Sequence, residues 1–457
     1  MAEQSNNHKK KETQLTYYLD DRPGILNGSV AAAGHLTAIV ASILTAPLLI
    51  CGVLNLGATE TRYILSASLI VSGIATFIQV YRIGYLGCGM IAVQGTSFAF
   101  VGPLAYLAPL YVNDISATLF LGKILGTCAV CGFVIMIASF FLDKLRAVIT
   151  PTVAGTAIML LGITLLQSAF KNFSFALEGA DTPMFFIVGS EAAVTLLTIA
   201  VLSRLRKSLI RVACIPLGLA AGCFTALVFG DLNLSLNDPR ESIFVITPMN
   251  FSLGFDFLLM LLLLPIFLVS LTESIGDITA TSMVSGEPIS GPRYLERLQG
   301  GIRADGFNTV LASVFGTFPN TTFSQNNAVI KITGIASRQV GIILAIMLVA
   351  LGSMPQISHL FTLIPAGVLN SATGFLFSLI AYTGLQIILQ NNHGKSIDVL
   401  LISCFSAFAL SGLINYASLL SDSLPQYASI VLGFPVATGT CLAILLDYKL
   451  RPQKPSQ

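Results

Sequence analysis

Residues 318–330 read FPNTTFSQNNAVI, and residues 93–100 read VQGTSFAF. Both stretches sit inside apolar runs, yet they place amides and hydroxyls, with Pro319 in one and Pro103 just past the other, where a membrane helix would be continuous. Open backbone at that depth is tolerated only inside protein or against a watery cavity. Gln94 and Gln325 lie about 230 residues apart, close to half the chain, and interrupted spans at matching positions of two halves point to the substrate site of an inverted-repeat transporter. Seven spans per repeat, an odd number, would put the halves in opposite orientations.

Working outward, the 457-residue chain is 54% hydrophobic and only 10% charged, with a mean hydropathy of +0.82. At about 20 apolar residues per crossing, fourteen spans use about 280 residues and leave only connectors, with no room for a soluble catalytic domain. Apolar runs are read from about 29–53 to about 427–446, fourteen in all. With the N-terminus inside, the inner connectors collect Arg82, Lys144, Arg146, Arg204, Arg206, Lys207, Arg211, Arg293, Arg297, Arg338, Lys395, Lys449, Arg451 and Lys454, and the outer ones only Arg62, Lys171 and Arg240. That asymmetry supports an even span count and two cytoplasmic termini. Residues 1–28, polar and carrying Lys9, Lys10 and Lys11, read as a cytoplasmic tail and not a signal peptide. A formal charge of +2 gives no reason to expect nucleic acid. Cys128 and Cys131 form a Cys-x-x-Cys in an apolar run without a nearby His or a second pair, so they read as small apolar filler, and no metal or cofactor is expected.

Ionisable groups within spans are costly in hydrocarbon and mark candidate sites. His35, Glu273, Asp277 and Asp305 stand out. Glu273 and Asp277, four apart, share a helix face, and two ionised carboxylates there would repel, so one is expected to hold a proton or a neighbour's hydrogen bond. Glu273 is read as handling substrate or proton; Asp277 and Asp305 suit either a supporting hydrogen bond or direct proton transfer; His35 suits a tie between helices. Lys123 and Lys331 have stems long enough to snorkel. In the breaks, Gln94, Ser97, Gln325, Asn326 and Asn327 offer donors and acceptors matching a flat heterocycle with adjacent N–H and C=O groups, and Phe98 could stack on such a ring. The same residues could equally cap two half-helices.

The stretches QGTSF (94–98), TESIGDITATSMVSGEPISGP (272–292), GGIRADGFN (300–308) and FPNTTFSQNNAVIKITGIASR (318–338) resemble the nucleobase-ascorbate transporters, or nucleobase-cation symporter-2 family, and among them the bacterial xanthine and urate permeases. The resemblance runs over about 17–449. It implies an all-α polytopic fold of fourteen spans in two inverted repeats of seven, with broken spans 3 and 10 holding short strands. It implies a core domain from residues 29–142 and 254–360, a gate domain from 143–253 and 361–449 that also forms a homodimer interface, and a second tail at 450–457. It further implies import of an oxidised purine, xanthine with room for urate, by proton symport with elevator-like alternating access in a bacterial inner membrane, and no enzymatic activity. By motif, Glu273 and Gln325 would hydrogen-bond the purine, Phe98 would stack on it, and backbone around Ser97 and Asn326 would line the pocket; His35, Asp277 and Asp305 would support affinity or coupling.

The family's tenth-span pattern, Gln-Asn-x-Gly followed by Thr-Gly, is met by Gln325, Asn326, Asn327, Thr333 and Gly334, but its first Gly is Ala328 here. A methyl there can restrict close approach of the backbone. The alternative reading is an anion transporter or channel of the sulfate-permease type. Those usually append a soluble C-terminal domain, and Glu273 in the site would repel an anion.

Overall fold

The computed structural model describes residues 15–111, 115–142, 150–177, 182–205, 210–211, 213–232, 245–390, 395–415 and 426–450. The orientation markers Lys9 to Lys11, Lys144, Arg146, Arg206, Lys207, Arg240, Arg451 and Lys454 lie outside these residues. The chain is mostly helical. In order come α1 (Ile25–Val53), α2 (Ala58–Tyr81), β1 (Gln94–Thr96), a 3-10 turn (Phe98–Phe100), α3 (Val101–Tyr111), α4 (Ala117–Ala138), α5 (Pro151–Leu177), α6 (Thr182–Arg204) and α7 (Cys214–Phe229). Then follow α8 (Phe257–Val284), α9 (Pro292–Val314), β2 (Asn320–Thr322), α10 (Gln325–Thr333), α11 (Arg338–Gly352), α12 (Pro355–Thr362), α13 (Ala366–Gln390), α14 (Lys395–Asn415), α15 (Gln426–Leu432) and α16 (Pro435–Leu450). Among the described residues, eight helices are long and apolar enough to cross a membrane, or nine if α11 and α12, bent by 73°, count as one span. Cys128 and Cys131 are free, buried thiols on α4.

Both breaks seen in the sequence are short strands. β1 and β2 pair antiparallel, with Gln94 opposite Thr322, Gly95 opposite Thr321 and Thr96 opposite Asn320. Two further bonds lengthen the ladder, Phe323 N–H to Val93 O at 2.9 Å and Ser97 N–H to Pro319 O at 2.9 Å. Each strand thereby satisfies backbone groups that hydrocarbon would leave unpaired. Gly95 is required there: a Cβ would stand 2.5 Å from the Phe323 ring and 2.8 Å from Ile43.

Without a hydrophobic force between helices in lipid, close backbone approach through small residues holds them together. A Cβ on Gly162 of α5 would fall 2.4 Å from Ala381 N of α13, and one on Gly384 of α13 lies 2.4 Å from Met159 N of α5. Gly73 of α2 packs likewise on Ala345 O of α11 at 2.7 Å, and Gly132 of α4 on Gly306 O of α9 at 2.8 Å. These pairs join helices from the two halves of the chain. At one end of the molecule, residues 16–21 run beside the α10–α11 link: Thr16 N–H bonds Gly334 O at 2.7 Å, Ala336 N–H bonds Tyr17 O at 2.9 Å, and Arg338 N–H bonds Leu19 O at 2.9 Å. Leu19 is buried, and Asp20 pairs with Arg338 at 3.3 Å.

Candidate functional site

A cavity of about 570 Å³ lies where α8, β2 and the start of α10 face α5 and α13. One wall carries Glu273, Gly276 and Asp277 of α8, with Thr321, Thr322 and Gln325; the other carries Ala154 and Ile158 of α5 and Leu376, Ile380 and Thr383 of α13. Phe98 closes one side, 9% exposed, its ring edge-to-face with Phe377 of α13 at 6.1 Å. The volume falls in the range of small-molecule sites. Among the described residues, no Lys, Arg or His lines the cavity. Glu273 and Asp277 reach it together because residues four apart share a helix face.

Behind the strands lies a polar network. Asp305 on α9 accepts from Gln79 Nε2 at 2.7 Å and from Thr322 Oγ1 at 3.4 Å. Thr322 Oγ1 also lies 3.2 Å from Ser274 Oγ, whose own hydroxyl can donate to it, and Ser274 Oγ lies 3.3 Å from Thr321 Oγ1. Since Thr321 and Thr322 line the cavity, hydroxyls connect its wall to Asp305. Gln79 is fully used: Nε2 also donates to Gly301 O at 2.9 Å, and Oε1 accepts from Cys88 N–H at 3.1 Å. The sequence reading passed over Gln79, although an uncharged amide in the middle of an apolar span was a visible signal. It also passed over Asp256, which caps α8 and pairs with Lys123 at 3.2 Å, and Glu191, fully buried on α6.

Of the residues expected at the site, Glu273, Asp277, Gln325 and Phe98 line the cavity and Asp305 lies just behind it. Ser97 and Asn326 are fully buried and absent from the lining. Ser97 Oγ accepts from Ala99 N–H at 3.2 Å, capping the 3-10 turn, while Asn326 Nδ2 donates to Ile91 O and so stitches α10 to the strand-1 approach. Asn327 accepts from Thr281 Oγ1 at 2.7 Å, joining α10 to α8. His35 of α1 is fully buried beside Asn326, neither ring nitrogen in hydrogen-bond geometry. Ala328 is half-buried mid-helix, Thr333 bonds back to Val329 O at 2.9 Å, and Gly334 ends α10 at φ +67°. The Gln94 amide is buried behind β1, facing Asp305 without hydrogen-bond geometry.

The Xan_ur_permease family model, described as a permease family, matches residues 27–415. Xanthine permease XanP of Escherichia coli K12 is 36% identical over 97% of this chain and 96% of its own length, and xanthine permease XanQ of the same strain is 35% identical over 95% and 93%. The putative purine permease CPE0397 of Clostridium perfringens is 27% identical over 98% and 96%. Among solved structures, the transmembrane domain of the cyanobacterial bicarbonate transporter BicA matches with a TM-score of 0.54 at 17% identity, covering 94% of this chain and 100% of that one. The murine anion transporter Slc26a9 in its inward-facing state matches at 0.59 and 12% identity, covering 94% and 69%. These structural likenesses establish a common fold.

Proposed function

The chain belongs to the Xan_ur_permease family, and from that premise we propose that it imports an oxidised purine nucleobase, xanthine and also urate, by proton symport. It is a multi-pass membrane permease and not an enzyme. The single observation that carries the purine reading is the cavity: a carboxyl pair and the Gln325 amide face a space of about 570 Å³ whose side is the Phe98 ring. Gln325 supplies both a donor and an acceptor to a purine edge; Glu273 donates to a ring acceptor when protonated and accepts a ring N–H when ionised. Phe98 packs on the ring.

A neutral purine gains nothing from the membrane potential, whereas one proton moved through 100 mV supplies about 2.3 kcal/mol, enough for roughly fifty-fold accumulation. Glu273 is the proton carrier in this reading, with Asp305 linked to the same wall through Thr322. Alternating access follows an elevator-like course. α1–α4 and α8–α12 form a core carrying the site, within fourteen spans in two inverted repeats; α5–α7 and α13–α16 form a gate that also dimerises. Both termini face the cytoplasm of an inner membrane. The lining supports the core-gate division, since one wall comes from α8 and α10 and the other from α5 and α13. Transport of a small inorganic anion, as by the bicarbonate transporter that shares the fold, is disfavoured because the described residues of the lining bring two carboxyls and no cationic side chain. Uptake of radiolabelled xanthine into proteoliposomes under an imposed proton gradient, with unlabelled urate, hypoxanthine, guanine and uracil as competitors, tests the proposal. Xanthine accumulation that urate inhibits is expected; uptake indifferent to the gradient removes the symport, and no purine uptake removes the reading.

A further inference from the structure

Glu191 has no part in the purine site. It sits on α6, fully buried, and among the described residues neither carboxyl oxygen meets hydrogen-bond geometry, the Asp231 carboxyl being the polar side chain that approaches it. A Cβ on Gly367 of α13 would stand 2.8 Å from Glu191 Oε2 and 2.9 Å from Val188 O, and a Cβ on Gly222 of α7 would stand 2.0 Å from Thr195 Oγ1 and 2.8 Å from Val368 of α13. Three helices therefore meet through glycines around one carboxyl. Thr195 cannot serve the side chain, because its hydroxyl donates to the Glu191 backbone carbonyl at 2.7 Å.

The ionisable groups facing it, among the described residues, are half-buried Asp231, just past the end of α7, and the Cys223 thiol of α7. α13 brings Gly367 and Val368 and no charge; no cation from α6, α7 or α13 approaches. An ionised carboxylate with no donor and no cation, beside a second acid, is far more costly here than the neutral acid. We propose that Glu191, with Asp231 as its neighbour, is a proton-binding site separate from the substrate cavity, and that the bound proton keeps the α6–α7–α13 junction closed. Loss of that proton puts a bare charge between three helices whose glycine contacts allow no side-chain rearrangement, so the junction must open. α13 carries the consequence to the cavity, since Leu376 lies about 13 Å further along the same helix from Gly367.

The test is independent of any purine. Thermal midpoints of the purified full-length protein in detergent are measured from pH 5 to 9 at constant ionic strength, for the wild type, Glu191→Gln and Asp231→Asn. Glu191→Gln is neutral at every pH, so its curve is expected to keep a constant offset from wild type at acid pH and then to rise relative to it progressively as the pH increases. Asp231→Asn removes a like charge, so ionised Glu191 costs less, and the wild-type fall is expected to become smaller and to level off at lower pH. An offset between wild type and Glu191→Gln that stays constant from pH 5 to 9 overturns the proposal. Should Glu191→Gln fail to fold, the decision rests on Asp231→Asn, whose superposition on the wild-type curve overturns it equally.

Discussion

Gln325 and Glu273 divide the work of recognition between an amide that cannot titrate and an acid that can. Gln325→Ala strips a partner from a desolvated cavity and should weaken purine binding by about 1–3 kcal/mol, about five- to 150-fold, with expression near wild type because the side chain borders open space. Equilibrium binding of xanthine checks it. Glu273→Gln keeps shape and hydrogen bonding without a titrating proton, so it should retain binding and lose gradient-driven accumulation, whereas Glu273→Ala should lose both. Counterflow and gradient-driven uptake in the same proteoliposomes separate the two losses. If the Gln variant accumulates xanthine as wild type does, Asp305 becomes the carrier to test, since Thr322 links it to the cavity wall. Ala328→Gly should shift affinity without unfolding the chain, because Ala328 is half-buried and a methyl is all that is removed; identical KM values for the two forms show the methyl to be neutral. Glu273, Asp277 and Gln325 were legible at this scale because an acid or amide in an apolar run has little reason to be there except a cavity or a partner. Ser97 and Asn326 were not, since nothing in a sequence tells a polar residue facing a cavity from one that ties backbone behind it.

At the scale of elements, the β1–β2 pair is the joint on which the site hangs. Gly95→Ala would press a methyl into the Phe323 ring and Ile43, an overpacking that typically costs about 1–3 kcal/mol, and should lower both the thermal midpoint and xanthine affinity. Gly276→Ala is its control: a Cβ there meets nothing within 4 Å, yet the residue lines the cavity. It should therefore fold as wild type does while raising KM. Equal midpoints for the two variants would mean that the strand pair bears no strain from the methyl. That spans would break at Gln94 and Gln325 was readable from polar runs and prolines, and most of the long helices coincide with apolar runs, whereas α9 starts at Pro292, ahead of the run read from residue 301, because its first turns are polar. The register between the strands was not, because pairing across more than two hundred residues leaves no local pattern in either strand.

For the whole molecule, sidedness is open to a direct test: single cysteines at Lys171 and Arg204, each toward the C-terminal end of one of the consecutive helices α5 and α6, should react with impermeant thiol reagents from opposite faces of the membrane. Labelling of both from one face removes the assigned topology. Biosynthesis feels the strand pairing too. Asn326 must find Ile91 across 235 residues, and a ribosome adding about 5–20 residues per second needs about 10–50 s to make that stretch. Throughout that interval the β1 backbone has no β2 to bond, and the link that residues 16–21 grip has not been made. The first half of the chain therefore cannot settle in lipid as a finished unit; it must wait near water or under the cover of the insertion machinery until the second half emerges. A chain stopped before residue 320 should consequently be recognised by quality-control proteases as incomplete, however apolar its helices.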